Sequence, residues 1–70
     1  MIYECLLERA YEGILQTFCT KDEESAIEWL NNLHDDFGAI VVWKDGEVVK
    51  CINYEFNFNT KSWIKVCVYN

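Results

Sequence analysis

The chain has 70 residues, 51% of them hydrophobic, and a net charge of −6; it holds three Trp, four Tyr and four Phe, three glycines and no proline. That length allows one domain, residues 1–70, and the apolar supply is too large for a disordered chain. The acidic balance disfavours direct nucleic-acid contact, which needs a basic patch, and the longest unbroken apolar run, Ala39–Trp43, is far short of the roughly 20 residues of a membrane span.

The first twenty residues admit two readings. Tyr3, Leu6, Leu7, Ala10, Tyr11, Ile14, Leu15 and Phe18 fit a helical stripe. Two short strands, Ile2–Leu7 and Ile14–Cys19, fit as well. The next segment favours the hairpin. Thr20-Lys21-Asp22-Glu23 reads as a capping box with Thr20 at its head, and a cap there wants Cys19 extended. Gly13 also suits a loop or strand start better than a helix interior. A helix is then predicted from about Lys21 to Asp36. Ala26, Ile27, Leu30 and Leu33 recur at helical spacing, Phe37 extends the stripe, and Gly38 supplies a left-handed stop.

Ala39–Lys44 is β-branched and aromatic, and Asp45-Gly46 predicts a two-residue type I′ turn. The return strand starts at Glu47 and runs to about Phe58, with Tyr54, Phe56 and Phe58 alternating with polar residues. Pairing about the turn sets Val42 against Val49, Ile40 against Cys51 and Trp43 against Val48. After a turn near Asn59-Thr60-Lys61, the last strand spans Trp63–Tyr69, with Ile64, Val66 and Val68 on one face and Trp63, Cys67 and Tyr69 on the other. The expected fold is α+β: an antiparallel sheet in the order β-β-α-β-β-β, with one acidic amphipathic helix packed on one face.

Little in the chain points to chemistry. His34 is the only histidine, the three glycines form no phosphate loop, and Ser25 and Ser62 have no evident triad partners. Asp35-Asp36 beside His34 are adjacent on the predicted helix and point apart, which disfavours a shared ion. Cys5, Cys19, Cys51 and Cys67 include no CxxC pair and sit in β-like or apolar stretches, so they read as reduced, packed side chains. No basic start precedes an apolar run, so a cytoplasmic location is expected. The sequence implies no cofactor, no metal and no catalysis.

Two surfaces stand out instead. Residues 21–36 carry six acidic residues against one lysine. Asp22, Glu24, Glu28, Asp35 and Asp36, spaced along a rod, could imitate backbone phosphates and occupy a basic groove; a merely solvated face is the plainer alternative. Both faces of the central hairpin are also apolar, and one helix covers only one of them. Trp43, Tyr54, Phe56, Trp63 and Tyr69 are the candidates for a surplus that must meet a protein partner or a second copy of the chain as a homodimer, unless a second layer covers it. A small-ligand pocket between helix and sheet is a further possibility.

In size, acidity and element order the chain resembles the small inhibitor proteins that bacteriophages encode, including anti-CRISPR proteins. The stretches that carry the likeness are Thr20-Lys21-Asp22-Glu23-Glu24-Ser25-Ala26 and Trp43-Lys44-Asp45-Gly46-Glu47-Val48. The resemblance implies a non-enzymatic inhibitor that docks on a basic surface of a host or defence enzyme, in the host cytoplasm; it assigns no role to any single residue.

Overall fold

The computed structural model describes residues 1–70. Its elements are β1 (Ile2–Arg9), β2 (Gly13–Thr20), α1 (Glu23–Asn31), β3 (Phe37–Lys44), β4 (Glu47–Asn57) and β5 (Ser62–Tyr69). The strands form one antiparallel sheet in the spatial order β2-β1-β3-β4-β5. The first twenty residues are a hairpin. Its turn is closed by Tyr11 and Gly13 at positive φ, 66° and 80°. Asp45 and Gly46, at φ 53° and 80°, make the β3–β4 turn that the dipeptide predicts.

The helix is shorter than its apolar pattern suggests. Its cap is Asp22, not Thr20: the Asp22 carboxylate accepts from the Ser25 amide at 3.2 Å and from the Ser25 hydroxyl at 2.7 Å. Thr20 closes β2 and accepts instead from the Asp22 amide. At the other end Asn32 is the C-cap, and Gly38 has moved into β3. The C-terminal carbonyls are met from across the sheet, where the Trp63 indole N–H donates to the Leu30 oxygen at 2.8 Å and the Leu33 oxygen at 3.1 Å.

Ala26 and Leu30 of α1 lock onto Cys5 and Leu7 of β1 and Ile40 and Val42 of β3, the central core. Burying a side chain of Leu or Ile size contributes roughly 1.5–3 kcal/mol. Gly38 lets this happen at close range: a β-carbon there would lie 2.7 Å from Leu30 Cδ1 and 3.3 Å from the Trp63 ring.

Three ladder irregularities set which side chains share a face. One lies between Leu7 and Glu8 on the β1–β2 ladder. A second falls between Val42 and Trp43, so Val42 pairs with Lys50 rather than Val49, and Ile40 with Ile52 rather than Cys51. The third shifts β5 against Tyr54, pairing Asn53 with Cys67 but Tyr54 with Lys65. Trp63, Lys65 and Val68 therefore lie on the helix side, and Ile64, Cys67 and Tyr69 on the other. This corrects the simple alternation expected for β5, since one extra residue flips everything beyond it.

Candidate functional site

The acidic segment divides in two. Glu24 and Glu28 are exposed on α1, one turn apart, and exposed Asp22 is occupied in part by its cap. Asp35 and Asp36 lie beyond the helix and do not join them. Asp35 is buried and takes a two-pronged contact from Arg9, Nε to Oδ1 at 3.2 Å and Nη2 to Oδ2 at 2.9 Å. Its Oδ1 also accepts from the Asp36 amide, and Asp36 accepts from the Ala10 amide at 2.8 Å. Both aspartates thus clamp the α1–β3 connection to the β1–β2 turn. Hydrogen bonding to Arg9 holds the Asp35 carboxyl below its ordinary range, and the Ser25 hydroxyl does the same for Asp22.

The aromatic candidates divide as well. Tyr54, Phe56 and Trp63 lie on the helix side. Phe56 is buried and stacks edge-on against Trp63 and Phe58, with ring centres 5.1 and 4.9 Å away. Trp43 and Tyr69 lie on the opposite face. The Trp43 indole donates to the Glu4 carboxylate at 3.3 Å, and Tyr69 is exposed.

That opposite face has no second layer. One row across the five strands runs Cys19, Glu4, Val41, Cys51, Tyr69; the next runs Thr17, Leu6, Ala39, Asn53, Cys67. Ile2 and Trp43 extend the surface at one end, Phe37 and Ile64 at the other. The strands place three carboxylates there, Glu4, Glu8 and Glu55, and no lysine or arginine. Leu6, Val41 and the three glutamates are the members that sequence reasoning missed. Their signal was the alternation Glu4-Cys5-Leu6-Leu7-Glu8 read with its register, which becomes visible only once Cys5 and Leu7 are known to face the helix. Tyr11 was missed too: it is fully exposed at the tip of the β1–β2 turn in a left-handed conformation that a bulky residue adopts at a cost.

The polar chemistry is otherwise structural. The Ser25 hydroxyl serves the helix cap, and the exposed His34 ring lies 4.8 Å from Phe56. All four cysteines are free thiols. Cys5 is buried, whereas Cys19 is exposed and not packed as its β-like surroundings suggest. Burial pushes the Cys5 thiol up to about 11. No three His, Cys, Asp or Glu side chains converge to hold a metal ion, and no helix is long and apolar enough to cross a membrane. Comparison with protein-family models, curated proteins and solved structures gives no match.

Proposed function

We propose that this chain is a non-enzymatic protein-binding inhibitor or regulator that docks through the uncovered face of its sheet. The observation that carries this reading is the composition of that face: an apolar strip along Ala39, Val41 and Trp43 with Leu6 beside it, Glu4 set among these residues and Glu8 and Glu55 at one end, and no basic side chain on the strands. The matching partner has an apolar patch bordered by lysine or arginine, as on a nucleic-acid-handling enzyme; a phage protein that disables such a host enzyme suits this chemistry. Self-association through the same face, the homodimer reading, sets three carboxylates of one copy against three of the other, which disfavours it at neutral pH.

The acidic helix is the second reading, favoured by Glu24 and Glu28 standing exposed with no cationic partner. It lies on the opposite side of the sheet, so one flat partner surface cannot engage both. Two variants separate them: Val41→Lys in the centre of the open face, and Glu24→Lys with Glu28→Lys on the helix. Both are assayed for capture of a host partner identified by mass spectrometry, with the fold checked by circular dichroism. Loss of capture in Val41→Lys alone is expected. Capture that survives Val41→Lys and vanishes with the helix pair transfers the site to the helix and overturns the first reading. A concentration-dependent dimer in sedimentation, abolished by Val41→Lys, replaces both with self-association.

A further inference from the structure

The helix side of the sheet is only partly covered. α1 packs against β1, β2 and the near side of β3, and beyond Ile27 a cavity of about 330 Å³ opens over β3, β4 and β5. Its floor is Ile40, Val42 and Ile52, all buried. Cavities near this size are at the lower end of what holds a small organic ligand.

The rim carries charge as well as apolar side chains. Lys50 and Lys65 both line the cavity. Lys50 is there because of the irregularity at Val49; in an unbroken ladder it pairs with Val41 and faces the other way. Lys65 shares a face with Ile52 and Val68 because of the irregularity at Val66. Two independent bulges thus each deliver a lysine to the same cavity, and re-aiming a side chain is a recurrent use of a bulge. Neither lysine has a carboxylate within ion-pair distance; both salt bridges of the molecule belong to Arg9. The acid on the rim is Glu23, on the helix side. Tyr54 adds a hydroxyl that is a donor at neutral pH, and burial, with Glu23 nearby, raises its pKa further above that range.

We propose that this cavity binds a small amphipathic carboxylate, its apolar chain on Ile40, Val42 and Ile52 and its acid group held by Lys50 and Lys65. Unpaired ammonium groups at the edge of an apolar floor are complementary to that chemistry: the tail gains burial while the head meets charge and the Tyr54 donor. The site is independent of the open face, so the two readings stand or fall separately.

The test uses octanoate as the probe, with octanol and octylamine as neutral and cationic counterparts, followed by amide chemical shifts of the full chain. Octanoate is expected to give saturable shifts confined to Ile27, Val42, Ile52 and Tyr54, and to bind roughly three- to ten-fold more tightly than octanol. Lys50→Ala with Lys65→Ala should lower octanoate to the affinity of octanol and leave octanol unchanged; both are surface positions, and an unchanged melting temperature verifies the fold. Ile27→Trp, which fills the mouth from the exposed side of the helix, should abolish binding of both. The proposal is overturned if octanol matches octanoate, if octylamine binds better through Glu23, if the shifts spread over the opposite face, or if none saturates up to about 10 mM.

Discussion

Gly38→Ala tests how the helix is seated. The Gly38 backbone is not in a left-handed conformation, so alanine meets no obstacle in the chain itself. The obstacle is the new methyl group, 2.7 Å from Leu30 Cδ1 and 3.3 Å from Trp63 Cζ3. Carbon atoms in contact prefer about 3.5–4.0 Å, so the end of Leu30 must retreat by roughly 1 Å. It has little room: Leu30 is 2% exposed, and Trp63 is tethered to the carbonyls of Leu30 and Leu33. Overpacking of this kind costs about 1–3 kcal/mol, and the lower entropy of an unfolded chain with alanine offsets about 0.4–1 kcal/mol of it. The net expectation is a loss of roughly 1 kcal/mol, a Tm lower by about 4–8 °C for a domain of this size. Urea unfolding followed by circular dichroism measures it. The double variant Gly38→Ala with Leu30→Ala should lose less than the two single variants combined, because the new methyl occupies space that Leu30 vacates. A stabilised Gly38→Ala protein, or strict additivity, refutes the close approach of β3 to α1.

Two further outcomes follow from the titrating groups. Asp35 has a folded pKa below its ordinary 3.8, first because Arg9 hydrogen-bonds it, so its stabilising effect is complete above that value and is lost as pH falls through the depressed one. Asp35→Asn should therefore lower stability at pH 7 and flatten the loss below about pH 4 in urea midpoints; an acid limb parallel to that of the parent chain contradicts the Arg9 clamp. For the thiols, an Ellman titration at pH 8 should modify Cys19 first, then half-buried Cys51 and Cys67. Cys5 should follow only on unfolding, since a thiol near 11 is about one-thousandth ionised there; four equal rates would contradict its burial.

What the sequence discloses and what it hides divide along the range of the interactions. The Asp45-Gly46 turn was legible because its two positive φ angles are a local property of those residues. An antiparallel sheet with one helix was legible from the periodicities. The helix end was not: Leu33 and Phe37 keep helical spacing past Asn31, but Asp35 is drawn to Arg9, 26 residues away, and Phe37 to a place between Glu8 and Glu55. The bulges left no sequence signal, because an extra residue in a ladder is chosen by packing on both of its sides. That is why simple pairing about the turn sets Val42 against Val49 rather than Lys50, and why simple alternation groups Trp63 with Tyr69. The surplus of apolar surface was legible as a quantity but not as a set of residues. Tyr54, Phe56 and Trp63 turned to the helix, and Leu6 and Val41 took their places on the open face.

Both unfilled surfaces have one geometric cause. A helix with its side chains is about 10 Å wide, and neighbouring strands are about 4.8 Å apart, so one helix covers about two strands of a sheet. Here α1 lies over the β1–β2–β3 side of five strands, and only 11 of 70 residues are buried. The cavity over β3–β5 and the bare opposite face are what remains. They are not equivalent. The bulged strands turn two lysines to the helix side, while the opposite face receives only glutamates from its strands. Under the two proposals, the faces take partners of opposite sign, an acid on the helix side and a basic-edged protein surface on the other. Because so small a core leaves stability marginal, occupancy of either face should raise the melting temperature by mass action, and the two increments should add if the faces are uncoupled.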